Sequence, residues 1–194
     1  MFFETAKSIL LIVSALFPLV NPIGGSPIFL LLTQEYSTKD RKLLARSVAI
    51  NSFILLIVSV VVGTHILSFF GISLPVVQVG GGLIVVSTGW AMLTRSDPSA
   101  GADRGQMHQT VDPQEIFKKA FYPLTLPLTV GPGSISIAIT LGANEPRHLG
   151  TNLLAILTAA IGSLLIAASV YVCYAYADRL AAALGPSGMN VILR

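Results

Sequence analysis

Charge is scarce in this chain. Only 11% of its 194 residues are Asp, Glu, Lys or Arg, against about 25% in an ordinary soluble domain. Four long stretches, 8–34, 47–94, 120–144 and 149–177, contain none, so none of them can form a solvated protein surface. A single cysteine, Cys173, excludes an internal disulfide and reads as a small core residue. The three histidines, His65, His108 and His148, share no metal-ligand spacing. Gly80-Gly81-Gly82 is not followed by Lys-Ser/Thr, which excludes a phosphate loop. Ser134 has no base partner in the sequence, which argues against a serine hydrolase. No metal site, cofactor or catalytic dyad is therefore expected, and the chain does not read as an enzyme. The net charge of +3 comes from cations in loops, so it is no nucleic-acid signal.

What the chain has instead is apolar length. It is 53% hydrophobic, with mean hydropathy +0.77. About 20 apolar residues span a bilayer, so the run 47–94 is long enough for two spans. Gly71-Ile72-Ser73-Leu74-Pro75 marks the turn between them. Five spans follow, at 8–32, 45–68, 74–93, 120–142 and 150–176. The first is too long for a cleavable signal peptide, and Glu4 sits beside the only nearby cation, Lys7. Gly80-Gly81-Gly82 inside the third span suits close helix contact.

The cations set an orientation. Lys39, Arg41, Lys42 and Arg46 lie between spans one and two, and Arg95, Arg104, Lys118 and Lys119 between spans three and four. The turn between spans two and three has none, and that between four and five only Arg147. Positive loops stay in the cytoplasm, which places the N-terminus outside and Asp178-Arg179, read as a membrane-edge pair, inside. Trp90, Tyr171, Tyr174 and Tyr176 suit an aromatic belt at that inner face, and His65 an interfacial place at the outer one. The expected location is a bacterial inner membrane.

Proline is distributed unusually. Phe17-Pro18-Leu19-Val20-Asn21-Pro22-Ile23-Gly24-Gly25-Ser26-Pro27 has the spacing Pro-x3-Pro-x4-Pro, and Tyr122-Pro123-Leu124-Thr125-Leu126-Pro127-Leu128-Thr129-Val130-Gly131-Pro132 repeats it 105 residues later. A lone intramembrane proline usually only kinks a helix. A matched triplet is different, because packing does not require the same spacing twice. Paired broken helices in two halves point to a transporter's binding site. The fold expected is an all-α polytopic membrane helix bundle of two inverted three-helix repeats, with helices one and four broken. Residues 1–93 form the first repeat, 94–118 a polar cytoplasmic linker, and 119–194 a second repeat of two spans plus the start of a third. Gly185-Pro186-Ser187-Gly188-Met189-Asn190 stands where a sixth span begins, so that helix is expected to be missing from a truncated chain.

Taken together, Asn21-Pro22-Ile23-Gly24, Gly71-Ile72-Ser73 with Gly80 to Val85, Pro127 to Ile135, and Gly188-Met189-Asn190-Val191-Ile192 resemble the signatures of the MarC family. The resemblance covers essentially the whole chain. It implies a six-span prokaryotic inner-membrane protein grouped with the LysE-type exporters, some of whose relatives look like carriers of small neutral amino acids. It does not imply drug efflux.

The breaks define a candidate site. Asn21-Pro22, Ser26-Pro27 and Gly131-Pro132 are N-cap and first-turn pairs, each able to start a half-helix. Such an N-terminus favours a carboxylate. Carbonyls freed by Pro22, Pro27, Pro127 and Pro132 are suited to an ammonium group or a cation. Gly24, Gly25, Gly131 and Gly133 admit a ligand to the backbone, and Ser26, Thr125, Thr129 and Ser134 add hydroxyls. Asn51 and Gln78 read as hydrogen-bonding groups between helices. With no charge in the middle of any span, a carboxylate proton relay and strongly charged substrates are disfavoured.

The function expected is secondary transport, by export or exchange, of a small neutral solute such as an amino acid. A coupling ion, sodium or proton, and homo-oligomers remain open. The rivals are a non-transporting scaffold or accessory protein, a channel, and an intramembrane enzyme for which no dyad exists.

Overall fold

A computed structural model describes residues 2–94, 118–144 and 152–183, and every regular element among them is helical. The elements are α1 (Phe2–Val20), α2 (Pro22–Leu32), α3 (Thr38–Phe69), α4 (Leu74–Thr94), an irregular α5 (Ala120–Thr129), α6 (Pro132–Asn144) and α7 (Asn152–Ala175). Most of the 94–118 linker and the Gly185–Asn190 turn lie outside the described residues, as do Arg147, His108 and His148.

Among the described residues three stretches are long and apolar enough to cross a bilayer: Thr5–Leu32, Thr38–Phe69 and Leu153–Ala175. The bent pair α5–α6 is a fourth if counted as one span, and α4 is apolar over Leu74–Ile84. The five sequence-predicted spans therefore coincide with helical segments. Only 28% of the most apolar window of α3 is buried by protein. Leu10, Leu11, Ile54, Val58, Leu164 and Leu165 point outward. Side chains of this kind facing outward match a hydrocarbon surrounding rather than water.

Capping fixes the ends of α3. Ser37 Oγ accepts the Asp40 amide at 3.2 Å and donates to Asp40 Oδ2 at 2.6 Å, and the acidic side chain complements the positive end of the helix. At the other end Ile72 N donates to Leu67 O at 2.8 Å and Gly71 N to Ser68 O at 3.1 Å. Gly71 has φ +67°, a conformation that costs glycine nothing. The predicted turn at Gly71 is thus a glycine-terminated helix end.

The helix α3 lies at the centre, packed against α5, α6 and α7, while α7 also covers α1 and α2. The buried core runs through Ile12, Leu16 and Val20 of α1, Phe29 of α2, Leu44, Val48 and Leu56 of α3, and Ile166, Val170 and Tyr174 of α7. Small residues set the closest approaches. A Cβ on Gly142 of α6 would strike the Val60 carbonyl of α3, and one on Gly81 of α4 would strike Ser136 of α6. Cβ atoms on Gly80 and Gly82 would meet nothing among the described residues within 4 Å, so the close contact found in the glycine triplet belongs to Gly81.

One edge of the bundle is tied by charge. Arg41 Nη1 donates to both carboxylate oxygens of Asp178, at 2.7 and 2.8 Å, and Arg41 Nη2 donates to Thr33 O at 3.2 Å. The start of α3, the end of α2 and the residues just after α7 therefore share one face. Within the expected edge pair Asp178-Arg179 the two residues have different partners: Arg179 lies over the Tyr176 ring, 5.5 Å from its centroid, and Lys42 approaches the same ring. A carboxylate three residues past the end of α7 meets the first turn of α3 more readily than its own chain neighbour.

Candidate functional site

The two proline triplets do not break the chain in the same way. In the first, Asn21 alone leaves the helix, at φ 43° and ψ 60°. Pro22 has no amide to continue α1, and asparagine tolerates the left-handed region. Asn21 Oδ1 then accepts the Gly24 amide at 3.1 Å, so α2 starts at once with Pro22 as its first residue. The chain from Thr5 to Leu32 continues as one apolar stretch.

Pro27 does not begin a new helix, which corrects the expected Ser26-Pro27 start. The carbonyl it leaves without a helical donor is that of Ile23, four residues back. Ser26 Oγ donates to Ile23 O at 2.9 Å. The hydroxyl takes the place of the missing amide, and α2 runs on to Leu32.

The second triplet is disrupted throughout. Tyr122 (φ −127°, ψ 125°) and Leu126 (φ −108°, ψ 127°) are extended, as residues before proline prefer to be. Both Tyr122-Pro123 and Leu126-Pro127 are cis. The segment is held by bonds reaching five residues back: Val130 N to Thr125 O at 2.8 Å, Thr125 Oγ1 to Ala120 O at 2.7 Å, and Thr129 Oγ1 to Leu124 O at 2.7 Å. Wide turns of this kind are rare and recur at functional sites. Where the first copy has Ser26, the second has Gly131, which carries no hydroxyl to rescue the helix. A new helix, α6, therefore starts at Pro132, and the axis turns by 70°.

At the head of α6 the Gly131 carbonyl accepts Ser134 Oγ at 2.8 Å and the Ile135 amide at 3.2 Å. Gly133 and Ser134 are buried, while Pro132 is exposed. The first-turn amides of a helix have no carbonyl within it to accept them, and here they lie inside protein. At α2, by contrast, Asn21 is exposed, and its own side chain and carbonyl accept the Gly24 and Gly25 amides.

Of the predicted hydroxyls, Ser26, Thr125, Thr129 and Ser134 are all buried, and each donates to a carbonyl of its own segment. The proline-freed carbonyl of Ile23 is thus already occupied on one side. Asn51 Nδ2 lies 3.5 Å from Thr125 Oγ1, so its interhelical role joins α3 to the second motif. Gln78 is exposed.

Tyr174 is the residue that joins the two motifs, and sequence reasoning placed it elsewhere. It is wholly buried, not part of a belt, whereas Trp90, Tyr171 and Tyr176 are exposed. Its ring stacks on Phe29 at 4.5 Å and 18°. Its hydroxyl lies 2.9 Å from Thr129 Oγ1 and 2.5 Å from where a Cβ on Gly25 would sit. One side chain from α7 therefore touches Gly25 and Phe29 of the first segment and Thr129 of the second. Among the described residues no three His, Cys, Asp or Glu side chains converge on a possible metal position.

Comparison with known proteins shows the family. The profile described as "MarC family integral membrane protein" matches residues 6–194. The UPF0056 membrane protein YvbG of Bacillus subtilis is 31% identical over 93% of this chain and 82% of its own length. The UPF0056 membrane protein MJ1677 of Methanocaldococcus jannaschii is 31% identical over 93% of this chain and 84% of its own. A UPF0056 membrane protein of Archaeoglobus fulgidus is 29% identical over 93% and 81%. No solved structure gives a significant match.

Proposed function

The chain belongs to the MarC family of integral membrane proteins, and from that premise we propose that it is a secondary transporter, an exporter or exchanger, of small neutral solutes such as amino acids. The observation that carries this reading is the pair of interrupted segments, Asn21-Pro22 and Gly131-Pro132, bridged by the buried Tyr174. Backbone leaves helical geometry at membrane depth only where protein or a solute cavity meets its polar groups. Here it does so twice, in the two halves of one chain.

In this mechanism the buried first turn of α6, with the Gly133 and Ser134 amides, receives the solute's carboxylate. Hydroxyl and carbonyl oxygens around Thr125 and Thr129 receive its ammonium group. A zwitterion suits such a site because the spans offer dipoles and no fixed charge to balance a net charge. The irregular α5, which lacks a continuous ladder of helical hydrogen bonds, is the element that moves. Rocking of one half against the other then exposes the solute to either side. The reading includes a prokaryotic plasma membrane, with the Arg41–Asp178 face inside and the N-terminus outside.

The test is counterflow. The full protein is placed in liposomes loaded with labelled glycine, alanine, serine, leucine or phenylalanine, with and without sodium or proton gradients. Saturable exchange of at least one amino acid is expected. Folded protein that exchanges none of them would contradict the reading.

A further inference from the structure

We propose that Tyr174 is the specificity-determining residue of the site, contacting the solute and limiting the size of its side chain; this rests on the transport reading above. The argument starts from protons. Thr129 Oγ1 has one, and it is given to Leu124 O at 2.7 Å. The 2.9 Å contact between Thr129 Oγ1 and Tyr174 Oη is therefore made by the phenol donating. The chain Tyr174 to Thr129 to Leu124 is polarised in one direction, and the lone pairs of Tyr174 Oη are left to accept. The Oη atom lies directly over Gly25, whose own amide is given to Asn21 O at 2.9 Å. An acceptor oxygen buried between two interrupted segments suits a solute's ammonium or hydroxyl donor.

Space gives the second half of the argument. The ring is wholly buried and cannot swing freely, because Phe29 is stacked 4.5 Å from it. Even one methyl on Gly25 would come within 2.5 Å of the hydroxyl. A solute entering between Gly25 and Thr129 thus meets the far edge of the phenol. Even a methyl group needs that edge to draw back, and each further carbon needs it to draw back more. Glycine at position 25 and tyrosine at position 174 form a complementary pair, one removing volume and the other supplying it.

Counterflow in liposomes separates binding from size. Wild type is expected to exchange glycine, alanine and serine more efficiently than leucine or phenylalanine by about tenfold or more, the discrimination that an excess methylene or two brings. Tyr174→Ala should bring that ratio close to one, and Tyr174→Leu, which keeps the helix packed, should lower it in the same direction. Tyr174→Phe should keep the ratio and raise KM for every solute by about two- to tenfold, the worth of one hydrogen bond, with the maximal rate little changed. A purely structural role would lower the amount of folded protein and leave selectivity alone. Unchanged selectivity in folded Tyr174→Leu, or unchanged KM in Tyr174→Phe, overturns the assignment while leaving transport intact. No exchange by folded wild type overturns the transport reading and this assignment with it.

Discussion

Ser26 Oγ donates to the carbonyl of Ile23 at 2.9 Å, the one carbonyl that Pro27 deprives of its helical donor. A side chain here stands in for a backbone amide. Ser26→Ala would leave Ile23 O unpaired beside a buried position, at a cost of about 1–3 kcal/mol. The measurement is thermal unfolding in detergent, with Ser26→Thr as the control that keeps the hydroxyl. Ser52 and Ser163 should behave oppositely. Their hydroxyls are buried without a hydrogen-bond partner among the described residues, so Ser52→Ala and Ser163→Ala are expected to be neutral or stabilising.

Glycines divide in the same way. A Cβ on Gly142 would run into the Val60 carbonyl, and backbone cannot swing aside, whereas one on Gly82 meets nothing among the described residues within 4 Å. Gly142→Ala should therefore unfold at a markedly lower temperature. Gly82→Ala should be unchanged or slightly more stable, since alanine is the better helix former by about 1 kcal/mol. Equal effects at the two positions would contradict the packing of α3 on α6.

The ion pair between Arg41 and Asp178 gives a third test. The Asp178 side chain is 52% exposed and that of Arg41 12%, so their coupling in a double-mutant cycle of Arg41→Met and Asp178→Ala should be modest, about 0.5–1 kcal/mol. It should shrink with added salt. Arg41→Met should cost more than Asp178→Ala, because it also releases the Thr33 carbonyl.

Much of this was legible in the chain. Charge-free runs located the spans, Gly71 marked the end of α3, and the prolines marked both interruptions. The asymmetry between the two copies was legible too, in principle. Asn21 against Leu126 and Ser26 against Gly131 are the positions before equivalent prolines, and their side chains decide whether a helix resumes. What the repeat spacing hid was that equivalent prolines need not have equivalent effects.

Tyr174 was misread for a different reason. Near the end of an apolar helix, a tyrosine reads as interfacial. The signal against this was its place in line with Ala159, Ser163, Ala167 and Val170, the buried stripe of α7. Which element a stripe faces is a matter of tertiary packing, so the partnership with Gly25 and Thr129 could not be read from spacing. The Arg41–Asp178 pair escaped for the same reason, its members lying 137 residues apart.

The central claim is that the interrupted segments form the transport site. The most direct test is solute counterflow by a variant carrying Gly131→Ala, Pro132→Ala and Gly133→Ala together, set against wild type in the same liposomes. Alanine at all three positions lets α5 and α6 approach a continuous helix and closes backbone access at the head of α6. The expected result is protein that is folded and inserted but has lost saturable exchange. Exchange at the wild-type rate from that variant would contradict the account.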